Sequence, residues 1–209
     1  MKLLIVGATG LVGRHVLEKA LANTEIESIV APGRRALASH PTLISPIVDF
    51  DYLPEEEDWW EADAVICTLG TTIKVAGSQA AFRRVDHDYV IEAARIARQH
   101  GTPTFVLTSA IGADVDSRFF YNRVKGEVEK DLAGFGFTSL TFVRPGLIGG
   151  KRDQARLLET ILGMAKAVLD PFLPQRLRTN PADKIADKLL EAAMTAKPGH
   201  HVVTSEEMI

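Results

Sequence analysis

Three groups of residues in this 209-residue chain combine types and spacings that suit chemistry. The first is Tyr121-Asn122-Arg123-Val124-Lys125. A tyrosine and a lysine at i and i+4 share one helix face, so the phenol and the ammonium point the same way. An unperturbed phenol holds its proton to about pH 10, and a neighbouring ammonium lowers that value by roughly 1–3 units. A phenol so placed gives or takes the proton of a reacting oxygen. Ser109, which with Thr108 closes an apolar run upstream, is expected to hydrogen-bond the same oxygen and polarise a carbonyl. Taken alone the pair also fits an ordinary surface tyrosine and lysine. The serine, together with a glycine turn near the N-terminus, is what singles it out.

That turn is the second group, Gly7-Ala8-Thr9-Gly10-Leu11-Val12-Gly13. Glycines at this spacing allow a tight turn, a close approach of backbone to a pyrophosphate and hard packing of helix on sheet. The free N–H groups at the start of the following helix then face the phosphates. Gly7, Thr9, Gly10, Leu11, Val12 and Gly13 are the expected contacts. A glycine triple also serves plain turns, and its position straight after the first strand favours the nucleotide reading.

The third group lies at the ends of later apolar runs. The second run ends in Pro32-Gly33-Arg34-Arg35, without the acid that takes the ribose 2′-hydroxyl of NAD. A guanidinium binds phosphate in a charge-assisted fork, so Arg34 and Arg35 favour NADP(H) over NAD(H), the competing reading being a solvated basic loop. Arg14 is a weaker phosphate candidate. Asp49 either accepts from an adenine amino group or caps its own loop, and Phe50 is expected to cover the ring. Leu69, Gly70 and Thr71 allow ribose and phosphate to pass, Thr108 joins the cofactor contacts, and Lys125 also suits the nicotinamide ribose.

These groups need elements that bring them together. Residues 2–6, 26–31, 43–50, 64–69, 104–108 and 140–143 read as short buried strands. Helical patterns run from the glycine turn to about residue 23, over 79–100 with Gly101 as the stop, and over 119–133. Strands alternating with helices imply right-handed βαβ crossovers, and apolar runs without alternation imply burial on both faces. The expected fold is α/β, a Rossmann-type doubly wound parallel sheet with every chemical group at the carboxyl edge. A single domain over 1–209 is expected, with 1–150 as cofactor and catalytic core and 151–209 as a small substrate-side extension of helices and a last strand. Within that extension residues 157–168 suit an amphipathic helix ended by Pro171 and Pro174. Asn180 reads as an N-cap with Pro181 at the first helical position, the helix reaches about residue 195, and 201–204 make a last strand.

Composition removes other classes. Apolar residues are 46% and charged residues 24%, with a net charge of −3, which fits a folded chain and lacks the positive field of a nucleic-acid binder. The single cysteine, Cys67, excludes an internal disulfide and is read as packing. The first apolar run is too short for a signal peptide and no stretch suits a membrane span, so a cytoplasmic protein is expected. No metal is expected: the six histidines lack zinc spacing and read as surface or loop residues, and Asp114 and Asp116 lack the rest of a calcium loop. Trp59-Trp60 reads as packing on the sheet. Arg176 and Arg178 fit an anionic substrate or, preferably, surface ion pairs.

Taken together, GATGLVG, Ser109, the YxxxK pair and Arg144-Pro145-Gly146 resemble the short-chain dehydrogenase/reductase superfamily, of the atypical kind. The stretches Cys67–Thr72, Ile111–Asp114 and Phe120–Glu129 resemble more narrowly the Tat-interacting-protein-like oxidoreductases. The resemblance spans about residues 2–150. It implies an NADP(H)-binding fold, an active site of Ser109, Tyr121 and Lys125, Pro145 and Gly146 beside the nicotinamide, and Arg144 among the cofactor contacts. Asp86 stands where the superfamily often has an asparagine that supports a proton relay, and a carboxylate does not donate as an amide does. The reading is an oxidoreductase for a small carbonyl or alcohol, quinone-like or lipid-derived molecules included. The alternative is an NADP(H)-responsive regulator that binds a protein partner. A sugar-nucleotide epimerase is set lower, because the stretch past Gly150 is brief for a sugar-nucleotide lobe. The chain is expected as a monomer or a homodimer, with the helices near Tyr121 as a dimer face.

Overall fold

Apolar runs that do not alternate end up inside one parallel sheet. The computed structural model describes residues 1–149 and 179–209. The expected helix within 157–168, its ends at Pro171 and Pro174, and Arg176 and Arg178 lie outside the described residues. The main strands are β1 (Lys2–Val6), β2 (Ser28–Val30), β3 (Leu43–Ile44), β4 (Ala64–Cys67), β5 (Thr104–Thr108) and β6 (Ser139–Val143). A small parallel pair, β7 (Leu147–Gly149) and β8 (Thr179–Pro181), precedes the last strand, β9 (Gly199–Val203). The seven-stranded sheet has the order β3-β2-β1-β4-β5-β6-β9, and every neighbouring pair is parallel. The order reverses between β1 and β4, which opens a crevice at their carboxyl ends where ligands bind in folds of this kind.

The helices are α1 (Leu11–Leu21), α2 (Ile73–Ala76), α3 (Gln79–Arg83), α4 (Tyr89–Gln99), α5 (Phe120–Ala133) and α6 (Ala182–Thr195). Helices α1 and α6 cover one face of the sheet, burying Val12, Val16, Leu17, Ile185 and Leu189 against Leu3, Ile5, Ile66 and Val106. Helices α4 and α5 cover the other, burying Val90, Ile96, Val128 and Leu132 against Leu4, Val65, Phe105 and Leu140. Each such aliphatic side chain contributes about 1.5–3 kcal/mol when fully buried, so both faces hold the sheet edge rigidly.

Four elements differ from the sequence reading. The third strand is only two residues long, because Pro46 has no N–H for the ladder; pairing with the β2 side returns as one bridge between Gly33 and Ile47. The helical pattern over 79–100 is α3, a π-helical turn at Arg84–Asp88, and α4 in continuity. Asn180 is not the helix cap. It sits in β8, its side chain is buried, and α6 starts at Ala182 with Pro181 as cap. His87 is a buried histidine, not a surface one, with Nδ1 2.8 Å from Asp88 and Nε2 2.9 Å from Asp131. Trp60 is buried on a 3-10 turn, its indole N–H donating to the Pro54 carbonyl at 2.7 Å.

Candidate functional site

The glycine turn follows β1 directly, and packing explains two of its glycines. Gly7 has φ of +93°, and a Cβ there would lie 2.8 Å from Thr68. A Cβ on Gly13 would lie 2.1 Å from the Gly7 carbonyl oxygen, so α1 meets the turn at a distance only glycine permits. Gly10 is the N-cap of α1 and offers no side chain to its first turn, which also lacks an acid. The first N–H groups of an α-helix have no intrahelical partner, so this terminus is available to an anion.

Two adjoining clefts flank the turn, and Leu69 lines both. One is lined by Gly7, Thr9, Pro32, Gly33, Arg34, Arg35 and Phe50. Arg34 and Arg35 are exposed. Phe50 is buried in its floor and packs on Tyr89 with ring centroids 5.6 Å apart. The other cleft, about 660 Å³, is lined by Gly10, Leu11, Val12, Gly70, Thr71, Thr108, Ser109, Tyr121, Lys125, Pro145 and Gly146. The turn lies between them, so an elongated molecule crossing the sheet edge passes over the α1 terminus. Thr108 lines the larger cleft, and its buried hydroxyl has no hydrogen-bond partner among the described residues. Gly13 packs beneath the turn. Asp49 lines neither cleft; its Oδ1 accepts from the Asp51 N–H at 3.0 Å, a loop-capping role.

Side-chain chemistry concentrates on α5. Tyr121, Lys125 and Glu129 follow at four-residue steps on one face. Lys125 is 3% exposed, and its Nζ lies 2.8 Å from Asp86 Oδ1. The other Asp86 oxygen accepts the Thr71 N–H at 2.8 Å. Asp86 is therefore the ion-pair partner of the lysine. Tyr121 is 40% exposed and packs on Phe82 at 5.7 Å. The expectation of a lowered phenol pKa is reversed in balance: burial pushes Tyr121 up, Lys125 pulls it down, Asp86 pushes it up again, and the net direction is up. Burial pulls the Lys125 ammonium down, but the Asp86 and Tyr121 charges and the Asp86 hydrogen bond hold it above its ordinary value. Burial pushes the Cys67 thiol up to about 12.

Ser109 is 3% exposed, and its Oγ donates to Glu129 Oε1 at 2.5 Å. Arg144 grips the same carboxylate with two N–H groups, its Nε at 2.9 Å. Arg144 thus faces Glu129, while Pro145 and Gly146 reach the cleft. The Gly146 N–H donates to Asn180 Oδ1 at 2.7 Å, and Asn180 Nδ2 donates to the carbonyls of Ser205 and Met208. Glu129 was not singled out in the sequence, although its position one turn beyond Lys125 carried the signal. Asn180 carried a signal for the wrong role, and Val75, Leu147 and Ile148, which complete the cleft wall, carried none.

This edge, with its glycine turn, open helix terminus and paired clefts, defines a dinucleotide-binding Rossmann-type fold. A family model described as NAD(P)H-binding matches residues 7–161, and the chain belongs to that family. Among curated relatives, the mitochondrial protein fmp52 of Emericella nidulans is 38% identical over 165 residues, covering 75% of this chain and 71% of that protein. The mitochondrial protein FMP52 of Coccidioides immitis is 31% identical over 216 residues, covering 93% and 86%. The oxidoreductase ylbE from Lactococcus lactis superposes with a TM-score of 0.69 at 21% identity, covering all of this chain and 94% of that one. MoeE5 in complex with UDP-glucose and NAD gives 0.73 at 18% identity, covering 97% and 75%. At such identities these two structures establish the fold. The relatives are named as mitochondrial proteins, which contradicts the cytoplasmic expectation. The reason is physical: receptors read a short address segment, so the composition of a folded domain carries little information on compartment. Among the described residues no helix is long and apolar enough to cross a membrane.

Proposed function

We propose that the chain is an NADP(H)-dependent oxidoreductase of the short-chain dehydrogenase/reductase type, close to the Tat-interacting-protein-like group, acting on a small carbonyl or alcohol. The observation that carries this reading is the convergence at one sheet edge of an open helix N-terminus, two exposed arginines and the Tyr121–Lys125 pair. Arg34 and Arg35 supply a fork for a 2′-phosphate, and Gly10, Leu11 and Val12 hold the pyrophosphate, with Thr108 lining the same cleft. When bound, the nicotinamide ring supplies or accepts the hydride. Tyr121 gives its proton to the reacting oxygen in reduction. Lys125 stays beside the phenol and holds the ribose. Ser109 hydrogen-bonds the reacting oxygen when its hydroxyl turns from Glu129, which Arg144 keeps paired. We read the chain as one domain over residues 1–209.

One observation favours a second reading, an NADP(H)-responsive binding module with little turnover: the Ser109 hydroxyl is already engaged by Glu129. One experiment separates the two. The purified protein is given NADPH with a panel of quinones, aldehydes and ketones, beside Tyr121→Phe. Substrate-dependent NADPH consumption that the variant loses supports the enzyme. NADPH binding without consumption on any substrate, or equal consumption by the variant, refutes it.

A further inference from the structure

Asp86 is 1% exposed and lies in the π-helical turn at Arg84–Asp88, an irregularity that often marks functional sites. It has two partners from separate elements, the Lys125 ammonium on α5 and the Thr71 N–H after β4, both at 2.8 Å. Gly70 lies against it, 3.4 Å from Asp86 Oδ1 at the place a Cβ would occupy, an ordinary contact distance. A buried carboxylate and a buried ammonium are each costly alone, and together they form a neutral unit. An amide at this position would leave the lysine's charge uncompensated.

We propose that Asp86 is a positioning residue: it claims the Lys125 ammonium, ties it through Thr71 to the cofactor-facing turn after β4, and leaves Tyr121 facing a neutral ion pair rather than a bare cation. The titratable groups around the phenol are Lys125 on its own helix and Asp86 on the π turn, with Cys67 at the end of β4 facing Lys125. The consequence is a phenol that keeps its proton through the neutral range and serves as donor in the reducing direction. The inference rests on the oxidoreductase reading for its meaning, but its test needs neither cofactor nor substrate.

The chain has three tyrosines, Tyr52, Tyr89 and Tyr121, so carbon-13 labelling at tyrosine Cζ gives three resonances, with Tyr121→Phe assigning the one that matters. In the unmutated protein the Tyr121 midpoint should lie above the ordinary value of 10.0. In Asp86→Asn it should fall, because the carboxylate charge that holds it up is removed. An unchanged midpoint in folded Asp86→Asn overturns the proposal. Should that variant not fold, nitrogen-15 detection of the Lys125 ammonium in the unmutated protein, assigned with Lys125→Met, decides. The ammonium should persist above pH 10.5, and its loss below that value overturns the proposal. A protein that passes these tests yet never consumes NADPH sinks the enzyme reading and leaves the ion-pair assignment standing.

Discussion

Replacing Asn180 by alanine is the sharpest perturbation of the architecture behind the cleft. The Asn180 side chain is fully buried and makes four hydrogen bonds. Its Oδ1 accepts from the Gly146 N–H at 2.7 Å and the Ser205 hydroxyl at 3.1 Å, and its Nδ2 donates to the Ser205 carbonyl at 2.8 Å and the Met208 carbonyl at 3.3 Å. Each such bond nets about 0.5–1.5 kcal/mol, and a stranded buried partner costs about 1–3 kcal/mol. Allowing for relaxation at the C-terminal end, Asn180→Ala should cost about 3–4 kcal/mol, a large share of the roughly 5–15 kcal/mol that holds a domain. Urea unfolding followed by circular dichroism measures it. Dinucleotide affinity should fall in parallel, because Gly146 loses its anchor at the cleft. Asn180→Asp is the control. It keeps the acceptors but sets an anionic oxygen against two carbonyls, so it should be as destabilised at neutral pH and partly recovered in acid, where the protonated carboxyl donates. A loss below about 1 kcal/mol for the alanine variant, with an unchanged denaturant slope, would refute the reasoning.

Four further outcomes are expected. Gly13→Ala forces a Cβ to within 2.1 Å of the Gly7 carbonyl oxygen, so it should destabilise by about 2–3 kcal/mol and weaken dinucleotide binding, read by the same unfolding curve and by calorimetry. Arg34→Ala and Arg35→Ala should each weaken NADP(H) binding by about 10–100-fold, the worth of a charge-assisted bond, and leave NAD(H) binding nearly unchanged; equal loss for both cofactors would remove the 2′-phosphate assignment. Cys67, with its thiol held up to about 12, should resist iodoacetamide in the folded chain near pH 8 and react once unfolded. Lys125 is held above its ordinary 10.5 in the folded chain, so its contribution to stability is fully present below that pH and is lost as pH rises through the folded value. Tyr121, also held up, acts in the same sense. A pH series of unfolding curves should therefore decline on the alkaline side, and less so in a Lys125→Met background.

The elements that depend on local order were legible from one chain. Strands such as Thr104–Thr108 are unbroken apolar runs because both faces are covered, and Tyr121 and Lys125 share a face because four residues make about one helical turn. The glycine turn could be read because Gly7 takes a positive φ and Gly13 meets the Gly7 carbonyl six residues away, both short-range demands, and Arg34 and Arg35 because they follow a strand end. The expected lengthy third strand failed at Pro46, a breaker present in the sequence but outweighed there by the apolar run around it.

Other features depend on groups that meet only after folding. Asp86 finds Lys125 across 39 residues, Ser109 finds Glu129 across 20, and Asn180 finds Gly146 across 34. Periodicity carries no information on such pairings, because they depend on how helices dock on the sheet. Burial then sets their chemistry. The sequence alone placed a phenol beside an ammonium and implied a lowered pKa. The tertiary structure set a carboxylate against that ammonium and excluded water from both, and the balance at Tyr121 turned upward. Residue types and local spacing thus determined the fold class and the groups available for chemistry. Only packing decided which charges are compensated and which hydroxyls are already engaged, because those depend on distance and solvent exclusion in three dimensions.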